Sequence, residues 1–222
     1  MTDKRIVIAG GHGQIAQHLT QVLTAHGDRA VSLIRNTEHV DAVTALGALP
    51  QVIDLEAASV DELAEVLAGA DAVVFAAGAG PNSGPDRKDT VDRAGAVLLA
   101  DAAEKAGIRR YVLISSFGAG EPVAEDLDEG WKAYIKAKTA AEEDVSARSG
   151  LDWTILRPGR LTDEDPLDAV SLTEPPMDAG SVPRADVAAV IAQLIDTGGA
   201  VRTTLMLTSG STSIADAVDA LG

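Results

Sequence analysis

Tyr134 and Lys138 stand four residues apart in the segment Tyr134-Ile135-Lys136-Ala137-Lys138. On a helix, that spacing sets a phenol and an ammonium one turn apart on the same face. A cation beside a phenol favours its deprotonated form, which suits the phenol to general acid–base work. Upstream, the apolar run Tyr111–Ile114 leads directly into Ser115-Ser116. A serine hydroxyl at the carboxyl end of a central strand can reach the same point as the tyrosine. Together these residues are the means to polarise a carbonyl group and exchange a proton with it.

A second constellation lies at the other end of the chain, where an apolar run is followed by Gly10-Gly11-His12-Gly13-Gln14-Ile15-Ala16. It reads either as Gly11-x-Gly13-x-x-Ala16 or as Gly10-x-x-Gly13-x-x-Ala16. In both registers the glycines permit a tight turn and let backbone amides approach a pyrophosphate at the positive end of the next helix. A strand before it and an amphipathic helix after it are the context this motif requires, so we assign dinucleotide contacts to Gly10, Gly11, His12, Gly13, Gln14 and Ile15. The end of the second strand separates the two nicotinamide dinucleotides, an acid there binding the ribose 2′-hydroxyl of NAD and a base accepting the phosphate of NADP. This chain has Arg35-Asn36 and no acid at that place. The expected cofactor is therefore NADP, with NAD less favoured.

These residues must be held by a scaffold, and the chain alternates between short apolar runs and amphipathic stretches throughout. Strands are expected at Arg5–Ala9, Ala30–Ile34, Val52–Ile53, Ala72–Ala76, Tyr111–Ile114, Trp153–Leu156 and Thr204–Leu207. Helices are expected at Gln14–Ala25, Glu38–Leu46, Ser59–Leu67, Lys88–Ala106, Trp131–Ser149, Ala185–Ile195 and Ile214–Leu221. Continuous apolar strands alternating with helices make an α/β protein, a doubly wound parallel sheet covered on both faces. Residues 1–222 read as a single domain, without repeat or low-complexity tract. The stretch 159–183, with Pro166, Pro175, Pro176 and Pro183 among acidic residues, reads as an irregular excursion that could serve as a lid.

Composition narrows the chemistry. The chain has no cysteine, which removes disulfides, thiol nucleophiles and thiolate metal sites. Its four histidines, His12, His18, His26 and His39, all lie early, so no distant histidine completes a serine triad, and no metal site is expected. His18 and His26 read as solvent-facing helix residues. Aromatics are few, and Trp131 and Trp153 read as packing groups. Eighteen basic against 34 acidic side chains leave a net charge of −16, a field that repels nucleic acid and anionic lipid. No long apolar run or signal segment is seen, so a cytoplasmic protein acting on a small molecule, with no nucleic-acid or membrane partner, is the expectation.

The segments GGHGQIA, VLISSFGAG, YIKAK, DWTILRPGRL and PRADVAAVIAQLI, in this order and spacing, resemble the atypical short-chain dehydrogenase/reductases, and within them the small bacterial NAD(P)-binding group often labelled epimerase/dehydratase-like. The resemblance spans nearly the whole chain. It implies a seven-stranded Rossmann sheet with a small C-terminal substrate lobe. It also implies that Ser116 polarises a substrate carbonyl, Tyr134 exchanges the proton, and Lys138 holds the nicotinamide ribose. Asp54-Leu55 would flank the adenine, Ala76-Ala77-Gly78 and Ser115 would line the cofactor, and Pro158-Gly159 would contact the nicotinamide. Two departures stand out. Ala16 replaces a third glycine, and an acidic insert, Gly120–Gly130, separates Ser116 from Tyr134 and bears on where that tyrosine sits. Asp92 occupies a recurrent position of the group without a physical role read from it, and Arg157 reads as an ion-pair partner.

The leading expectation is an NADP-dependent oxidoreductase that reduces a carbonyl or conjugated small molecule. A non-catalytic NAD(P)-binding redox sensor is the alternative, disfavoured by the tyrosine–lysine pair. A nucleotide-sugar epimerase or dehydratase comes third, because only about 60 residues follow Gly159 to form a sugar-nucleotide lobe.

Overall fold

The computed structural model describes residues 3–80, 83–123 and 128–222; residues 124–127 of the acidic insert lie outside them. In chain order, β1 (Arg5–Ala9), β2 (Arg29–Ile34), β3 (Leu49–Val52), β4 (Ala72–Phe75), β5 (Arg110–Ile114), β6 (Asp152–Pro158) and β10 (Thr203–Ser209) build a parallel sheet in the order β3-β2-β1-β4-β5-β6-β10. This is the doubly wound α/β arrangement expected from the alternation. The order reverses between β1 and β4, and in such sheets ligands bind outside the carboxyl ends of the strands at that point. Two strands beyond the expected seven extend the sheet: β8 (Ala169–Thr173) runs antiparallel to β10, and β11 (Thr212–Ser213) antiparallel to β8.

Alternating side chains of the central strands feed two cores. Ile6 and Ile8 point to one face, under α1 (Gln14–His26), α7 (Arg184–Thr197) and α8 (Ile214–Asp219). Val7, Ala9, Phe75 and Leu113 point to the other, under α3 (Val60–Leu67), α5 (Gly95–Ala106) and α6 (Glu129–Ser146). Burial on both sides is why these strands are apolar throughout. The helices start and stop on local chemistry. Ser59 and Glu62 form a reciprocal capping box at α3, Asp128 caps α6 by accepting from the Trp131 amide at 2.9 Å, and Gly27 ends α1 in the left-handed conformation.

Three expectations are corrected. The third strand runs Leu49–Val52, earlier than Val52–Ile53, because it is a half-exposed edge strand containing Pro50 and so lacks an apolar run. The long helix from Lys88 is divided: a short turn, α4 (Pro85–Arg87), precedes a π-helical segment at Lys88–Ala94, and regular α-helix begins only at Gly95. The stretch 159–183 is less irregular than its prolines suggested. It contains β8 and a small parallel pair, β7 (Arg160–Thr162) with β9 (Ser181–Pro183). Prolines mask these strands in the sequence, yet Pro183 sits at a strand end, where its missing amide is tolerated.

Arg110 shows how tightly β5 is tied to its surroundings. Its guanidinium is buried and donates to Thr154 Oγ1 and to the carbonyls of Asp152, Leu194 and Gly199 at 2.8–3.1 Å. Burial pushes this guanidinium down to about 10. Arg157 pairs with Glu142, Nη2 to Oε2 at 2.5 Å, which is the ion-pair role read for it.

Candidate active site

A groove crosses the carboxyl ends of the strands where the order reverses, and the turn after β4, Ala76-Ala77-Gly78, is the floor shared by its two halves. The first half, a cleft of about 430 Å³, lies between the ends of β1, β2 and β3. The second, about 730 Å³, opens over the ends of β4, β5 and β6 toward the 159–183 excursion.

The glycine turn forms one wall of the first half. Gly10 has φ +78°, and a Cβ there would lie 2.6 Å from the Ala77 Cα. A Cβ on Gly11 would lie 2.4 Å from that of Ser32. Both positions therefore demand glycine on steric grounds. Gly13 opens α1 without a side-chain cap, and no acid stands in the helix's first turn. In a chain this acidic, an uncapped and acid-free helix start over a groove fits a bound diphosphate. Gly13 and His12 line this half, whereas Gln14 and Ile15 line the other.

Arg35 and Asn36 both border the first half. Asn36 accepts from the Glu38 amide at 3.0 Å and so starts the short turn that leads from β2 into α2 (Val40–Ala45). Exposed Arg35 lies 3.2 Å from Glu56, which also receives Arg87 at 2.8 Å and the Thr90 hydroxyl at 2.6 Å. The Thr90 and Arg87 hydrogen bonds hold the Glu56 carboxyl below its usual range. His12 and His39 stack with centroids 3.5 Å apart, and partial burial, then His39, lowers the His12 imidazole from its ordinary value. Asp54 and Leu55 lie on the same cleft. Sequence reasoning missed Glu56, Arg87 and His39, which reach the cleft from separate elements with no shared spacing.

Ser115, Ser116, Tyr134, Lys138, Pro158 and Gly159 all line the second half. Ser115 is buried, and its hydroxyl has no hydrogen-bond partner among the described residues, while Ser116 is half-buried. Lys138 is 4% exposed, donates to the Ile114 carbonyl at 3.0 Å and lies 3.3 Å from Asp92 Oδ1. Asp92 is fully buried, and its other oxygen accepts from the Ala79 amide at 3.1 Å. This gives Asp92 the physical role the sequence withheld: it is the counter-charge of the buried lysine. The two are remote in sequence and meet only because the π-helical segment packs on α6.

Tyr134 has two ammonium groups near its ring, with Lys88 Nζ 5.3 Å and Lys138 Nζ 5.7 Å from the centroid. Trp131 packs on it at 5.2 Å and is 43% exposed on the groove wall. Trp131 is therefore a wall of the cleft, a correction to the packing role expected of it, whereas Trp153 is buried as expected. The exposed face of Trp131 follows from its place on the first turn of α6, at the rim of the groove. Gln14 and Arg184 both reach Asp163, at 3.2 and 2.7 Å, tying the excursion to the glycine turn.

Residues 10–198 match the family described as NAD(P)H-binding. The chain belongs to that family. It is 33% identical over 218 residues to the uncharacterized sugar epimerase YhfK of Bacillus subtilis, covering 98% of this chain and all of that one. Among solved structures, a Bacillus halodurans protein named for an NAD-dependent epimerase/dehydratase is 34% identical and superposes with a TM-score of 0.89 over 98% of this chain and 100% of its own. The oxidoreductase ylbE of Lactococcus lactis is 27% identical, with a TM-score of 0.84 over 98% and 96% of the two chains. These matches bear out the likeness to the epimerase/dehydratase-like group and the Rossmann fold, and they establish a nicotinamide dinucleotide as the cofactor class. Among the described residues, no helix is long and apolar enough to cross a membrane.

Proposed function

We propose that the protein is an NADP-dependent oxidoreductase of short-chain dehydrogenase/reductase type, acting on a small carbonyl compound. The observation that carries this reading is the single groove: the glycine turn stands at one half, Tyr134 and Lys138 at the other, and Ala76–Gly78 joins them. A nicotinamide dinucleotide held along the groove would supply the hydride. Tyr134 gives its phenolic proton to the carbonyl oxygen as that oxygen gains charge. Ser116, at the end of β5, donates a hydrogen bond to the same oxygen. Lys138 donates one hydrogen bond to the Ile114 carbonyl and is paired in charge with Asp92, and its remaining donors would hold the ribose. Gly13 and the α1 amides take the diphosphate.

The preference for NADP is supported by the guanidinium of Arg35, with Arg87 close by, at the mouth of the first half. Glu56 already engages both, so the 2′-phosphate would replace part of an existing pairing. Arg35→Ala should weaken NADPH by about tenfold and leave NADH nearly unchanged. Protein that binds NADH more tightly than NADPH in calorimetry would reject this choice of cofactor.

Tyr134→Phe should lower turnover of any accepted carbonyl compound by about 10²–10⁴-fold while NADPH affinity holds. Undiminished reduction by that variant would move the proton donor elsewhere. A second reading, a redox-neutral epimerase, is favoured by the names of two relatives. It predicts no net change in nicotinamide absorbance during turnover, so the same assay separates the two.

A further inference from the structure

Among the described residues, the second half of the groove holds more cations than carboxylates, in a chain whose net charge is −16. Lys88, Lys138, Arg160 and Arg184 line it against two carboxylates, Asp92 and Asp128. Most of these charges are accounted for. Asp92 answers Lys138, Arg184 answers Asp163, and Asp128 is occupied as the cap of α6. Among the described residues, two cations are left over. Lys88 is 7% exposed and donates to the Gly80 carbonyl at 2.6 Å, but it faces no carboxylate within ion-pair distance among the described residues. Arg160, exposed at the start of β7, likewise has no ion pair among them.

A buried ammonium whose partners among the described residues are a carbonyl and an aromatic ring gains from the arrival of a counter-charge. Lys88 has two further N–H donors, and its Nζ lies 5.3 Å from the centre of the Tyr134 ring. An anionic group meeting Lys88 would therefore belong to the molecule that Tyr134 acts on. Trp131, Ile15 and Leu161 add apolar surface to the same half.

We infer that the substrate half of the groove takes an aromatic or conjugated carbonyl compound that carries an anionic group, a carboxylate or a phosphate, held by Lys88 and Arg160. This rests on reading the Tyr134 half as the place of the reaction. Lys88 draws the anion toward the floor beside Tyr134, and Arg160 meets it from the excursion. Trp131 offers its exposed face to the planar body of the molecule. Neutral aldehydes and ketones of the same shape would leave Lys88 without a counter-charge and bind less tightly.

The test is equilibrium binding on protein saturated with NADP⁺, so that no hydride transfer occurs and the diphosphate site is filled. The probes are meta- and para-formylbenzoate, the matching formylbenzamides and formylphenyl phosphates. The anions should bind at least about tenfold more tightly than the amides. Whichever of carboxylate and phosphate binds more tightly identifies the group. The ratio of anion to amide affinity should fall to near unity in Lys88→Gln, and by about two- to fivefold in Arg160→Gln, where the charge is exposed and folding is not at risk. Amides that bind as tightly as both anions overturn the inference, and so does a preference unchanged in Arg160→Gln and in folded Lys88→Gln. If the preference is present but NADPH reduces none of the probes, the inference stands and the oxidoreductase reading is what loses support.

Discussion

Asp92→Asn removes one negative charge and almost no volume, which makes it a sharp probe of the site. Asp92 is fully buried and Lys138 is 4% exposed, with 3.3 Å between Oδ1 and Nζ. The asparagine can still accept from the Ala79 amide, so that contact survives. What changes is the ammonium of Lys138, left with the Ile114 carbonyl in a nearly water-free place. Breaking one side of a buried ion pair typically costs about 3–5 kcal/mol. Because the amide group retains some polarity and one hydrogen bond, we expect the low end, about 3 kcal/mol, in urea unfolding at pH 7. Lys138→Met alone should cost a comparable amount, since Asp92 then lacks its counter-charge. Removing both charges should cost much less than the sum, leaving a coupling of about 2 kcal/mol in the double-mutant cycle. NADPH affinity should fall together with stability in Lys138→Met. A loss below 1 kcal/mol in Asp92→Asn, or strict additivity in the cycle, would refute the pairing as the support of this lysine.

Gly10→Ala should abolish nucleotide binding and destabilise the fold by more than 1 kcal/mol, because φ is +78° and the added Cβ meets the Ala77 backbone; calorimetry and thermal melting check both. Arg110→Met should cost about 3–5 kcal/mol in urea unfolding, since it leaves the Leu194 and Gly199 carbonyls unpaired inside the protein. His12 should titrate below its ordinary value near 6.5 when followed by proton NMR. A depressed imidazole binds its proton more weakly in the folded than in the unfolded chain, so this group's contribution to stability is present above about pH 6.5. It is lost as pH falls from there through the folded value, and no such loss should occur in His12→Gln.

What the sequence made legible follows from where each signal resides. The buried parallel strands announced themselves because both their faces are covered, leaving apolar runs such as Ala72–Phe75. The edge strand Leu49–Val52 did not, since two of its apolar side chains, Leu49 and Val52, stand in water. The glycine turn and the Tyr134–Lys138 spacing are local patterns, and both carry residues to the groove. The rest of the site is assembled by tertiary packing. Lys88, Asp92 and Glu56 lie on elements whose meeting no local periodicity encodes. The π-helical turn at Lys88–Ala94 was hidden for a related reason: the stretch has an ordinary helix-forming composition, and no residue in it is a breaker before Gly95.

That turn explains why one short segment borders both halves of the groove. Its inward residues are Lys88, Val91 and Asp92. Val91 lines the nucleotide half, whereas Lys88 and Asp92 line the substrate half. Asp92 also accepts from the Ala79 amide beyond the shared floor, and a Cβ on Gly78 would come within 3.2 Å of its Oδ1. A π-helical turn takes up one residue more than an α-helical turn, and such turns recur at functional sites. Here the extra residue falls where the helix passes the floor joining the two halves. The segment also holds Lys88 Nζ against the Gly80 carbonyl of the same loop. The loop that continues from the floor after β4 is therefore gripped at two points, Ala79 by Asp92 and Gly80 by Lys88. Both gripping residues bear the charges that face Tyr134 and Lys138, so the shape of the floor and the electrostatics of the substrate half depend on the same two side chains.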